Sequence, residues 1–266
     1  ASIKNCMPTF LFDKIIFGPV KSRRLGVSLG INLLPVTRKI CNFNCIYCEC
    51  GLTMNSTVKG EPLPSRKEVY EALREKLSSM KEKNQDIDVI TYAGNGEPTL
   101  HPEFTGIIDD SIELRNRYFP EASIAVLSNA TTIHKPSVRK ALTKVDQNIL
   151  KLDSALDPTI KIHNQPHGDF HVATLIENLK KFKGNLIVQT MFVRGIYRGR
   201  VIDNTTPSEI EAWLEALKSI KPSEVMIYTI SRDTPETGQL KKVPLDELNK
   251  IADRVRETGI KTQVSG

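Results

Sequence analysis

No stretch of these 266 residues approaches the ~20 consecutive apolar residues of a membrane-crossing helix, and the opening Ala1-Ser2-Ile3-Lys4-Asn5-Cys6 lacks the apolar core of a secretory signal. Cysteine is scarce: there are five, an odd number with three crowded together, which argues against a secreted disulfide framework and for a reducing compartment. A cytoplasmic protein with no membrane association is expected. No low-complexity run, Ser/Gly linker or short-period repeat marks a boundary. A single domain is therefore expected over 1–266, with 1–24 as an extension, 25–230 as strands and helices, and 231–266 as a final helix and tail. Any convincing catalytic His or carboxylate motif is also missing, so acid–base catalysis is not what this sequence advertises.

Charge is present in modest excess. The formal net charge of +6 is compatible with a nucleic acid or another acidic partner, although composition alone names none. Lys21, Arg23, Arg24, Arg38 and Lys39 gather on either side of the first strand candidate, and a solvated face is the first reading of such a group.

Apolar periodicity is stronger. Val27, Leu29, Ile31 and Leu33 alternate with Ser28, Gly30 and Asn32 as in a strand. Ser65-x-x-Glu68 is a capping box ahead of Val69, Leu73, Leu77 and Met80 at helical spacing. Ile87–Tyr92, Ile124–Leu127, Ile149–Leu152, Leu186–Phe192 and Val225–Ile230 read as further strands. Between them, Pro102 opens a helix carrying Phe104, Ile108 and Ile112, and Pro136 opens another. Val172, Leu175, Ile176 and Leu179 form a helical stripe, Thr206-Pro207-Ser208-Glu209 caps the next helix, and Leu248, Ile251, Ala252 and Val255 form the last before Gly259. Alternation of strand and helix predicts an α/β fold with parallel strands. Six such units, with a long lead-in and a long segment from Leu34 to Pro64, fit an open six-unit (βα)6 partial TIM barrel better than a closed barrel of eight.

The most informative feature is Cys41-Asn42-Phe43-Asn44-Cys45-Ile46-Tyr47-Cys48. Soft thiolates at this spacing can hold three corners of a cubane iron–sulfur cluster, which normally takes four. One iron is then open to a ligand, as in catalytic rather than structural metal sites. Zinc is the competing reading, since Cys45-x-x-Cys48 is half of a zinc ribbon, but only Cys6 and Cys50 remain to supply a second pair. Cys50 is close enough in sequence to close the fourth corner, which would make the site a closed, ferredoxin-like one.

This spacing, with an aromatic residue just before the third cysteine, resembles the signature of the radical S-adenosylmethionine (SAM) superfamily. The resemblance implies a 4Fe–4S cluster on Cys41, Cys45 and Cys48, SAM chelated to the open iron, and Tyr47 against the adenine. It also gives meaning to the strand ends, where α/β folds gather their reactive groups. Gly94-Asn95-Gly96-Glu97 is similar to the superfamily's segment for the methionine amino group. By the same resemblance Ser128 and Asn129 take the methionine carboxylate, Asp153 the ribose, and Gln189 and Met191 wall the adenosyl group. His101, beside Pro102, reads better as a helix cap or packing residue.

Phe17–Asn32 and Gly94–Pro102 further resemble the branch that includes the wyosine-base synthases. The extra amino-terminal cysteines of the archaeal type are missing, so the resemblance speaks for fold and cofactor and not for wyosine synthesis. It implies an oxidoreductase-like radical enzyme served by an electron donor such as flavodoxin or ferredoxin, acting on an RNA or protein substrate or a small metabolite. A glycyl-radical-enzyme activase is the alternative within the superfamily, and a non-catalytic metal-binding module the alternative outside it.

Overall fold

In the computed structural model, which describes residues 10–22, 24–53, 61–231 and 239–266, the chain divides into two compact units. The first holds the described residues of Leu11–Cys41 and Met54–Ile149. It begins with β1 (Ile16–Ser22), which turns back antiparallel on β2 (Gly26–Ile31). Phe17 explains Gly30: a Cβ there would stand 2.0 Å from the Phe17 ring, so the aromatic covers a strand position that only glycine leaves open. Because β2 is covered on both faces from Ser28 onward, the alternation read from its sequence does not separate an inner from an outer face.

α1 (Arg66–Glu82) forms as its capping box requires, with the Ser65 hydroxyl accepting from the Glu68 amide and the Glu68 carboxylate from the Ser65 amide. Its buried stripe is Val69, Leu73, Leu77 and Met80. β3 (Val89–Tyr92) and β4 (Ser123–Ser128) extend the ladder in parallel from β2. α2 (Phe104–Tyr118) starts two residues later than proline placement suggests, with Glu103 at its cap, and buries Phe104, Ile107, Ile108 and Leu114 while Ile112 is only half-buried. α3 (Pro136–Leu142) opens on proline, and β5 (Gln147–Lys151) carries the chain into the second unit.

The second unit holds the described residues of Ala1–Phe10, Asn42–Thr53 and Leu150–Gly266. α4 (Asp157–His163), not foreseen in the sequence, precedes α5 (Val172–Lys180), where Asn178 takes the buried place expected of Ile176. β6 (Ile187–Tyr197) pairs in parallel with β8 (Glu224–Thr229), which pairs in parallel with β10 (Lys261–Ser265). β6 runs on beyond that ladder and pairs antiparallel with β7 (Arg200–Asp203) and β9 (Leu240–Lys242). α6 (Pro207–Ile220) and α7 (Leu245–Arg256) cover this ladder, and Trp213 donates to Thr190 Oγ1 at 3.1 Å while meeting Phe192 edge-on. At the start of α6 the Thr206 hydroxyl accepts from the Glu209 amide, but the buried Glu209 carboxylate turns away to accept from Ser154 Oγ at 2.6 Å and from Thr159 Oγ1. The parallel strands and intervening helices are those of the α/β class expected.

Candidate functional site

The cysteine motif is strapped down by backbone pairing at both ends. Before Cys41, Ile40 bridges Gly96 in parallel, donating to the Asn95 carbonyl at 2.9 Å and accepting from the Glu97 amide at 3.0 Å. After it, the Asn44 and Ile46 amides donate to the Asn164 and His163 carbonyls, each at 2.9 Å, and His167 donates to the Asn42 carbonyl at 2.9 Å. The cysteine loop therefore has a backbone partner in residues 163–167, the end of α4 and the turn that follows it.

In the second unit a largely buried polar cluster backs Cys45. Asp153 Oδ2 accepts from the Tyr47 hydroxyl and from Asn164 Nδ2 at 2.7 Å and faces the Lys151 ammonium at 3.6 Å, while Oδ1 accepts from the Met191 amide at 2.9 Å. Lys151 also donates to the Tyr47 oxygen at 2.9 Å. Burial pulls the Lys151 ammonium down, but Asp153, followed by Tyr228 and Cys45, outweighs it and holds the group above its ordinary range. Burial, together with Asp153 and Cys45, pushes the Tyr47 phenol well above its ordinary value, so it stays neutral. The Tyr47 ring packs with Ile46, Met191, Val193 and Tyr197, and Cys45 lies against that cluster. Gln189 is buried and accepts from the Tyr228 hydroxyl at 3.4 Å.

In the first unit the Gly94–Glu97 turn is shaped by its own neighbours. A Cβ on Gly96, at φ +133°, would stand 1.8 Å from the Ile40 carbonyl oxygen, and one on Gly94 would stand 2.3 Å from Asn32 Oδ1. Asn95 is fully buried: its Oδ1 accepts from the Phe12 amide at 2.8 Å and its Nδ2 donates to the Phe12 and Pro35 carbonyls, both at 2.9 Å. Glu97 is buried and accepts from the neutral donors Ser128 Oγ at 2.7 Å, the Asn129 amide at 2.6 Å and Thr99 Oγ1 at 2.5 Å. Burial raises its pKa despite these bonds, which pull the other way. Ser128 also accepts from the Ala130 amide, and Asn129 donates through Nδ2 to Cys41 Sγ at 3.6 Å. His101 is a brace, as expected: Nδ1 accepts from the Glu103 amide and Nε2 faces the Pro64 carbonyl at 2.7 Å.

Two sulfurs of the motif thus have side-chain amide donors, Asn129 on Cys41 and Asn164 on Cys45, the latter at 3.3 Å. Half-buried thiols with N–H donors aimed at sulfur are the chemistry that an iron–sulfur group takes. Among the described residues no three Cys, His, Asp or Glu side chains converge as around one ion. Cubane ligands each hold a different iron, so convergence on one point is not what such a cluster asks of them.

The pattern of the radical SAM superfamily matches residues 36–203, a region that contains the whole cysteine motif. The chain belongs to the radical SAM superfamily. It is 31% identical over 241 residues to a UPF0026 protein of Methanocaldococcus jannaschii, covering 89% of this chain and 70% of that one, in keeping with the wyosine-synthase-like branch. Among solved structures it is similar to a radical SAM methyltransferase from Sphaerobacter thermophilus, with a TM-score of 0.64 and 14% identity over 90% of this chain and 65% of that one. It is similar as well to Streptococcus suis SuiB bound to SAM, with a TM-score of 0.61 and 17% identity over 86% of this chain and 49% of that one. The chain spans less than two thirds of either solved chain, and at these identities the likeness shows the fold, the partial TIM barrel expected.

Radical SAM enzymes use a 4Fe–4S cluster and SAM and need a reductant, and their known members support SAM-dependent radical chemistry here. Within this radical SAM chain, the side chains of Asn95, Glu97, Ser128 and Asp153 are engaged with the protein's own groups. Lys151, Asn164 and Asn204 were not singled out in the sequence. Asn204 is buried and ties the Asp153 and Met191 carbonyls together at 2.9 Å each. An Asn directly after a short helix, as Asn164 follows α4, is ordinary helix-end chemistry and carried no signal by itself. Of the basic residues expected on one solvated face, Lys39 is buried, Arg38 lies by the Glu61 carbonyl, Lys21 is exposed, Arg24 is half-buried, and Arg23 lies outside the described residues, as does Cys6. No helix among the described residues is long and apolar enough to cross a membrane.

Proposed function

We propose that Cys41, Cys45 and Cys48 hold the 4Fe–4S cluster and that this chain is a radical SAM enzyme abstracting hydrogen from a substrate carbon. When bound, the cluster supplies one electron to the sulfonium of SAM, breaking a carbon–sulfur bond to leave methionine and a 5′-deoxyadenosyl radical. The observation that supports this is the pair of sulfur-directed amides, Asn129 on Cys41 and Asn164 on Cys45, inside the region that matches the superfamily.

The chain's own part is to hold and to exclude. In the first unit the backbone of Gly94–Glu97 and the carboxamide of Asn129 serve the methionine end of SAM, with Glu97 and Ser128 fixing that backbone from behind. In the second, Tyr47, Gln189 and Met191 form the wall for the adenosyl group, and Asp153 acts through Tyr47 and the Met191 amide. The electron comes from a small redox protein such as a flavodoxin or ferredoxin.

The test is anaerobic reconstitution followed by reduction. The protein should take up about four irons, the content of one cubane, and form methionine and 5′-deoxyadenosine from SAM. Fully loaded, reduced protein that yields no deoxyadenosine would end this reading.

A further inference from the structure

β5 ends on Lys151, whose side chain is only 13% exposed, although an ammonium taken out of water is costly unless it is paired. Its pairing is uneven. Among the described residues the ammonium stands 3.6 Å from Asp153 Oδ2, too far for a hydrogen bond, and 3.4 Å from the Tyr228 hydroxyl, whereas it donates to the Tyr47 oxygen at 2.9 Å. Asp153 takes its own hydrogen bonds from Tyr47, Asn164 and the Met191 amide. The Tyr47 phenol is thus the group that Lys151 holds most closely.

The Tyr47 oxygen is thereby saturated. A phenol has one hydrogen and two lone pairs. The hydrogen goes to Asp153, and the lone pairs accept from Lys151 at 2.9 Å and from Asn164 Nδ2 at 3.1 Å. Nothing is left on that oxygen for a ligand, so Tyr47 offers a ligand its ring alone. The ammonium does not compete for the ring: at 5.2 Å from the ring centre and 2.9 Å from the oxygen, it lies off the hydroxyl end and not over a face. Packing of the ring against Ile46, Met191 and Val193 is apolar and non-directional, so the hydroxyl is where its orientation is pinned.

We propose that Lys151 is a positioning residue for the SAM site: it fixes the plane of the Tyr47 ring and, through that ring, the adenosyl group. A residue that orients a ligand-bearing side chain from behind typically carries a roughly ten- to hundredfold share of the affinity. The effect on SAM rests on the radical SAM reading, in which Tyr47 walls the adenosyl group; the hold of Lys151 on Tyr47 does not.

Lys151→Met keeps an unbranched side chain and removes the donor. In protein loaded with iron and left oxidised, so that SAM is not consumed, equilibrium dialysis should show SAM binding about tenfold weaker than in wild type. Tyr47→Phe should weaken it as well, and adding Lys151→Met to Tyr47→Phe should change it no further, because the lysine then has no oxygen to hold. Additive losses would mean that Lys151 acts on SAM by another route, and full affinity in Lys151→Met would mean that it does not act; either overturns the proposal. A second measurement needs neither cluster nor SAM. In iron-free protein isotope-labelled at the tyrosine ζ carbon, the Tyr47 resonance, identified by its loss in Tyr47→Phe, should move in Lys151→Met, and an unmoved resonance also overturns the proposal. If Lys151→Met melts well below wild type, the pair Lys151→Met with Asp153→Asn removes both buried charges together, and must show the same two changes relative to Asp153→Asn alone. A resonance that moves, in a protein whose wild type binds no SAM, upholds the hold on Tyr47 while ending the radical SAM reading.

Discussion

Asn164 donates to the Sγ of Cys45 at 3.3 Å with the same nitrogen that donates to Asp153 Oδ2 at 2.7 Å and lies 3.1 Å from the Tyr47 hydroxyl. One amide with two hydrogens serves a sulfur and a buried ion-pair cluster together. Its own Oδ1 is buried without a partner among the described residues, so it sits there for what it donates.

Asn164→Ala removes all of these bonds. Stability should fall by about 2 kcal/mol, since Asp153 and Tyr47 each lose a buried partner. With the cluster in place, a thiolate that loses a hydrogen bond favours the oxidised state, so the reduction potential should drop by about 40 mV, the one-electron equivalent of about 1 kcal/mol. Denaturant titration and an electrochemical titration measure the two effects. An unchanged potential would mean that the contact is structural only.

Substituting Cys41, Cys45 or Cys48 with alanine should abolish iron uptake, whereas Cys50→Ala and Cys6→Ala should leave iron content and absorption as in wild type. Loss of the cluster in Cys50→Ala would close the fourth corner and remove the open iron on which the proposed chemistry depends.

Glycines at two positive-φ positions should behave differently. Gly96→Ala drives a methyl group onto the Ile40 carbonyl oxygen 1.8 Å away, and should cost about 3 kcal/mol or more. Gly168→Ala, at φ +75° with nothing within 4 Å, should cost only the left-handed penalty of about 1 kcal/mol. Equal melting temperatures would show that the Ile40–Gly96 bridge contributes little.

His163 sets an acid limit. Burial lowers its pKa from 6.5 to about 4, and its Nδ1 is buried without a partner among the described residues, so the folded protein holds it neutral. Between those two values the unfolded chain takes up a proton that the folded chain refuses, so this contribution is complete above pH 6.5 and is lost as pH falls toward 4. The full loss is about 3 kcal/mol. Glu97, whose pKa is raised, contributes with the opposite sign, so the comparison must be made with His163→Gln: its stability should decline less steeply than wild type across that window. Parallel curves would exclude His163 as the cause.

Fold and cofactor were legible in the sequence for definite reasons. Parallel strands buried on both faces read as apolar runs, and Ser65, Pro136 and Pro207 announce their helices because capping is local. β1, β7, β9 and β10 were not legible. β1 is broken by Gly18-Pro19 and a register shift, and β7, β9 and β10 are short and mostly polar, taking their form from partners far along the chain. The cysteine motif stands out in the sequence because the spacing that suits metal ligands is also local. Polar residues at strand ends do not, because identity alone does not tell whether Glu97 or Asp153 faces a ligand or closes a network of the protein's own. Lys151 and Asn164 became visible only once residues more than a hundred positions apart stood together.

The pairing of residues 42–46 with 163–167 also has a kinetic meaning. The amides of Asn44, Ile46 and His167 are held by backbone carbonyls, so their hydrogens exchange with deuterium only when those bonds open. Metal-dependent miniature domains leave their ligand loops to be ordered by the ion itself. Here the entropic cost of ordering the loop around Cys45 and Cys48 falls on folding, so iron-free protein should already show slow exchange at Asn44 and Ile46, and metal uptake should find two of its three sulfurs on a finished backbone.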